Sequence, residues 1–195
     1  MSVSPVSICS NALLMLGDNP ISSFDDTSDR ARLASNLWPS ARDYVLRLHP
    51  WNCAVRRVVL NPDEEAPAFD WAYQFTLPGD FLRMLQAGAL IDGRMPYKIE
   101  SGKVLCDVSS LPVRYIWRNE NPATWDSSLV WAMTTAMRCI FAYGITASTT
   151  LEQVIDAALR DILKRARAVD SLEDAPDALD DSPLTDARYL GRGNY

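Results

Sequence analysis

Apolar residues recur at helical spacing from the start of the chain: Val6, Cys9, Ala12, Leu13 and Leu16 predict a first helix. Ser4-Pro5 opens it, because serine caps a helix and proline at the first helical position has no backbone donor to lose. Gly17 ends it, where a left-handed residue is wanted, and Asp18-Asn19-Pro20 turns the chain. Asp25, Asp26 and Thr27 crowd the start of a second helix, where the macrodipole favours acidic groups. That helix places Ala31, Ala34, Leu37 and Trp38 on one face, then Ala41, Tyr44, Val45 and Leu48. Pro39 falls in its interior. It removes a donor and crowds the carbonyl four residues back, so a kink or a restart is predicted there. Pro50 stops the helix and Trp51 follows as an aromatic anchor.

From Cys53 to Arg118 the period changes. Val55 to Leu60 is a short β-rich run, followed by an acidic loop from Asn61 to Pro67. Trp71, Tyr73, Phe75 and Leu77 alternate with Ala72, Gln74 and Thr76, the pattern of a half-buried strand. Phe81 to Leu85 reads as a helical turn or the lead into a strand. Asp92-Gly93 and Ser101-Gly102 are hairpin turns, the second joining Tyr97–Glu100 to Lys103–Cys106. Val113, Tyr115 and Trp117 alternate with Arg114, Ile116 and Arg118 in a last strand. The region predicts a small antiparallel β-module.

Helical spacing returns after Pro122. Asp126 or Ser127 caps a third helix with Leu129, Met133, Ala136, Met137, Ile140 and Phe141 on its apolar face and Gly144 near its end. Thr150 and Gln153 predict a capping box for a fourth helix, striped by Ile155, Ala158, Leu159, Ile162 and Ala166. Asp156–Arg160 and Asp161–Arg165 stand four apart with the acid first, the more favourable order. The expected fold class is therefore α+β, mainly α. Residues 1–52 and 119–170 are helical, 53–118 form an inserted small antiparallel β-module, and 171–195 are an acidic C-terminal segment.

The composition of that arm differs from the rest. Glu173 to Asp186 holds six acidic residues and no basic one, and a packed core cannot be built from it. Leu184, Asp186, Arg188, Tyr189 and Leu190 then make a short amphipathic patch. The pair reads either as a docking arm or as a free terminus.

Composition narrows the function classes. The chain has 195 residues, 48% of them hydrophobic and 23% charged, with a net charge of −6. That acidity argues against a basic nucleic-acid clamp, which needs clustered Lys and Arg to displace counterions. Cys9, Cys53, Cys106 and Cys139 stand too far apart in sequence for a zinc or iron–sulfur framework. Cys9 and Cys139 fall among apolar residues and read as small buried thiols. No signal region or membrane span is visible, which predicts folding in a reducing cytoplasm.

Catalytic kits are hard to assemble from these residues. There is no Gly-rich phosphate loop, and His49, the single histidine, sits at a helix end where packing or capping explains it. Asp25/Asp26 and Asp180/Asp181 are the adjacent carboxylates an acid–base pair would draw on, but such neighbours are common in helix starts and solvated tails. Arg56-Arg57, with Arg114 and Arg118, are strand arginines that can meet phosphate or an acidic partner, although exposed strand arginines usually do neither. No cofactor or metal is expected.

Three segments together carry a resemblance. They are Asn11-Ala-Leu-Leu-Met-Leu-Gly17 with Pro20-Ile21, then Trp38-Pro-Ser-Ala-Arg-Asp-Tyr-Val-Leu-Arg-Leu-His-Pro-Trp51, and then Tyr73-Gln-Phe-Thr-Leu-Pro-Gly-Asp-Phe-Leu-Arg83 with the hairpin and Leu111-Pro-Val-Arg-Tyr-Ile116. In this order they resemble the phage tail tubular protein A family, the adaptors or head–tail connectors of short-tailed phages and related prophages. The resemblance implies a non-enzymatic virion protein that assembles as a homo-oligomeric ring, commonly a dodecamer, below the portal protein. Such a ring extends the DNA channel, lets DNA pass without specific binding, and offers a surface to the tail nozzle or tube protein. It implies that 1–52 and 119–170 pack as an antiparallel helical bundle in the ring wall, with a β-region facing the tail and an extended C-terminal arm (here Leu184, Asp186, Arg188, Tyr189 and Leu190) gripping the portal. The expected location is the virion, and the host cytoplasm during assembly. Within this picture Pro39, Pro50 and Trp51 form the joint between ring wall and β-module. The competing readings are a tail-borne cell-wall or polysaccharide hydrolase, which needs a carboxyl pair in a cleft, and a helical adaptor unrelated to phage.

Overall fold

In a computed structural model that describes residues 3–88, 95–146 and 149–173, the first helix, α1 (Pro5–Leu14), begins as its sequence predicts. Ser4 accepts the Ser7 amide at 3.1 Å while Ser7 Oγ accepts the Ser4 amide at 2.9 Å, so two orphan donors are satisfied reciprocally. Gly17, at φ +78°, ends it. The Asp18 amide reaches the Leu13 carbonyl and the Gly17 amide the Leu14 carbonyl, the paired bonds of a Schellman ending.

Helix α2 (Asp29–Leu48) starts later than expected. Its cap is Ser28, whose side chain accepts the Ala31 amide. Asp26 instead accepts the Ser22 and Ser23 amides, holding the preceding turn. The helix runs unbroken through Pro39. Pro39 and Ser35, four residues before it, are both exposed, so the carbonyl that proline deprives of a donor lies on the wet side of the helix.

Six strands follow: β1 (Val55–Leu60), β2 (Tyr73–Thr76), β3 (Phe81–Ala87), β4 (Lys98–Glu100), β5 (Lys103–Cys106) and β6 (Leu111–Trp117). The segment from Phe81 is thus a strand. All pairings are antiparallel and make two three-stranded sheets, ordered β1-β6-β3 and β2-β5-β4. The Ser101-Gly102 hairpin forms as predicted, with both residues at positive φ. Asp92-Gly93 lies outside the described residues.

Helix α3 (Ser127–Thr146) is capped by Asp126, which accepts the Leu129 amide at 2.8 Å. Helix α4 (Thr149–Glu173) already includes Thr149, so Thr150 is a helical residue rather than the cap, and the helix overruns the boundary expected at residue 170. Both predicted charge pairs form, Asp156–Arg160 at 2.6 Å and Asp161–Arg165 at 2.7 Å. Early α2 meets late α3, where a Cβ on Gly144 would come within 2.9 Å of Leu33. Late α4 meets early α3, since Ile162, Ala166 and Val169 share a hollow with Ser127, Ser128 and Trp131. Both α2 and α4 therefore run antiparallel to α3.

Strand alternation gives the β1-β6-β3 sheet two buried faces. Leu60, Leu111, Val113 and Tyr115 join Phe75, Val104 and Cys106 of the other sheet in one core. Ile116 and Leu82 join the helical core of Ile8, Leu13, Leu46, Trp51, Leu129, Met133, Met137 and Phe141. This sheet is the middle layer of the fold, sandwiched at one end between the second sheet and the helices.

Candidate functional site

The expected joint is built from α2, its stop and the strand that meets it. Trp51 is buried to 1% exposure, donates its indole N–H to the Val45 carbonyl at 3.2 Å and packs edge-on against His49, with centroids 4.7 Å apart. Pro50 is half-buried and follows the residue that caps α2, His49. Pro39, exposed on the helix surface, stands apart from both. Its neighbour Trp38 stacks on Trp125 at 6.1 Å and tilts against Phe24, tying the start of α3 to α2.

Around the joint lies a charge network that apolar periodicity does not reveal. Asp43 accepts from Arg42 at 2.9 Å and from Arg118 at 2.8 Å; Arg42, only 8% exposed, also pairs with Glu120 at 2.9 Å. Arg83 donates to the Arg47 carbonyl in the last turn of α2, at 2.6 Å. Asp80 accepts from Arg56 and from the Tyr115 hydroxyl, and the Arg56 guanidinium lies 3.9 Å over the Trp117 ring. Burial first, then the hydrogen bond to Asp80, pushes the Tyr115 phenol above its ordinary range. The signal for this network in the sequence is the pair Arg42-Asp43 on α2 against Arg118-Asn-Glu120 after β6, spacing that no helical or strand template links.

These contacts consume Arg56 and Arg118 and leave Arg57 and Arg114 together. Arg57 of β1 stands directly across from Arg114 of β6, on the sheet face turned away from the β-module core. Among the described residues, the end of that face beyond Ile116 is open. A groove of about 460 Å³ there is lined by Arg57, Val59, Gln86, Gly88, Pro112 and Arg114, among others. Val59 is 59% exposed, and the buried Nε of Arg114 meets no acceptor among the described residues. Like charges directly opposite on paired strands repel.

Cys9, Cys53 and Cys106 are quiet thiols, each pushed up chiefly by burial. Burial raises Cys9 to about 12 and Cys53 to about 11, far from the reactive thiolate range. Cys53 faces Asp126 at 3.7 Å, while His49 packs T-shaped against Trp51. Cys9 is buried as expected; Cys139 is only half-buried. Asp25 and Asp26 occupy the turn before α2, with Asp26 held by backbone amides. Elsewhere, Asp18 is held below the usual carboxylate range chiefly by its hydrogen bond from Arg30, and Asp63 by that from Lys103. Among the described residues no cluster of His, Cys, Asp and Glu could hold a metal, and no helix is long and apolar enough to cross a membrane. Leu184, Asp186, Arg188, Tyr189 and Leu190, with Asp180/Asp181, lie outside the described residues.

No protein-family model matches the chain, and no curated protein matches it either.

Proposed function

We propose that this protein is a structural adaptor of the tail tubular protein A kind, a ring subunit between the portal of a phage head and the tail nozzle or tube. The observation that carries the reading is the interrupted bundle: α2 ends, two small sheets intervene, and α3 returns antiparallel against α2. That is the order the resemblance implies, with helices for a ring wall and an inserted β-region for the tail side. The surface contributes too. Trp131, 53% exposed on α3, lies beside Val169 on α4, an apolar patch on the outside of the bundle of the kind a neighbouring subunit covers.

The arm fits the reading with one geometric condition. Because late α4 lies along early α3, the chain leaves α4 at the end of the bundle that faces the β-module. To grip a portal at the opposite end, residues 174–195 would double back along the bundle, roughly 30 Å for a helix of α3's length. An extended segment of that size spans on the order of 70 Å, so reach is not limiting.

Negative-stain imaging of the protein mixed with its portal tests the reading. Rings stacked end to end are expected with the full chain, and loss of stacking with retained helical circular dichroism when residues 184–195 are removed. Portal alone on the grid, with the full chain free in solution, would overturn it.

A further inference from the structure

We infer that the open groove on the β1-β6-β3 sheet is the seat of this protein's own acidic segment, residues 174–186 of the same chain. The inference does not depend on the adaptor reading. Four observations carry it. Arg57 and Arg114 oppose each other across β1 and β6, an arrangement that costs stability unless an anion lies between or over them. Neither makes an ion pair among the described residues, although Arg56, next to Arg57, and Arg118, just past β6, each have an aspartate. The Arg114 Nε is buried without an acceptor there, a position that calls for one. Finally, the groove carries apolar surface beside the two guanidinium groups, from Val59 and Pro112.

The occupant follows from charge and from where the chain goes. Residues 174–186 contain Asp174, Asp177, Asp180, Asp181 and Asp186 with no basic residue, and Leu179 and Leu184 among them. Carboxylates at that density match the two guanidinium groups, which take carboxylates in a planar two-bond geometry. Leucines spaced between them match the apolar part of the groove. The segment also starts on the correct side: α4 returns to the start of α3, and the Asn119 side chain, just ahead of α3, donates to the Cys53 carbonyl, just ahead of β1. From there the far half of β1 is only a few residues of extended chain away. The seat would hold the arm against the subunit until a stronger partner takes it.

Arginine footprinting on the full chain decides the matter. Phenylglyoxal modification of Arg57 and Arg114 is followed by mass spectrometry at low extent, with Arg160 on the exposed face of α4 as the internal reference. The comparison is a full-length variant carrying Asp174→Asn, Asp177→Asn, Asp180→Asn and Asp181→Asn. Arg57 and Arg114 are expected to react about threefold or more faster in the variant, and the natural chain to lose its protection in about 1 M salt, where screening acts over about 3 Å. Protection is expected to survive a roughly fiftyfold dilution, because a tethered segment keeps its effective concentration. Equal rates in the two proteins would overturn the inference, and so would protection that vanishes on dilution, which would place another copy's segment in the groove.

Discussion

Trp51 shows how one side chain carries several jobs at once. Its ring fills the helical core, its N–H satisfies a carbonyl in the last turns of α2, and it meets His49 in a T-shaped contact. Replacing it with alanine removes all three and leaves a cavity that neighbours on two elements cannot close. Trp51→Ala is therefore expected to lower stability by about 3–5 kcal/mol, read from the denaturant midpoint at constant slope; an unchanged midpoint would remove Trp51 from the joint. This residue is legible in the sequence, because a tryptophan directly after a helix-stopping proline has few places to go but inward. Pro39 is legible only in part. Its missing donor is real, but the helix carries the loss on its solvent side, and exposure of that side depends on α3, which lies far along the chain. Arg57 and Arg114 are visible as basic strand residues; that Arg56 and Arg118 take the nearby carboxylates instead follows from the positions of Asp43 and Asp80, which are long-range facts.

At the scale of elements, the contact between α2 and the β-module is electrostatic as much as apolar. Asp43 accepts from Arg42 on its own helix and from Arg118 beyond β6, so it joins two cations from separate elements. Asp43→Ala would take the shared carboxylate from both, leaving the mostly buried Arg42 only Glu120 and Arg118 only the Gly79 carbonyl. The expected loss is about 1.5–3 kcal/mol, the range for hydrogen bonds to charged groups, measured by thermal or denaturant unfolding. Glu120→Ala, whose side chain is 66% exposed, is the control and should cost far less. Element type and order are readable from periodicity: every strand predicted in the described residues exists, and the helices fall where the 3.6 period places them. Element edges are less so. Ser28 rather than the aspartates caps α2, because Asp26 is drawn away by the amides of Ser22 and Ser23. Division of the strands into two sheets is not readable, since period two tells which residues share a face but not which strand lies alongside.

For the whole molecule, the placement of β6 matters most. Its alternate residues belong to different cores, Ile116 to the helical one and Val113 and Tyr115 to the one between the sheets. An insertion between two helices is easily pictured as an appendage that frays or melts by itself. Here its central strand is also a wall of the bundle, so losing the module opens the bundle and losing the bundle uncovers the module. Scanning calorimetry is expected to give one endotherm with equal calorimetric and van't Hoff enthalpies, and two resolved peaks would contradict it. A body that melts as one piece also transmits force as one piece: a load applied at the second sheet reaches the helices through β6 without a hinge in which to be absorbed.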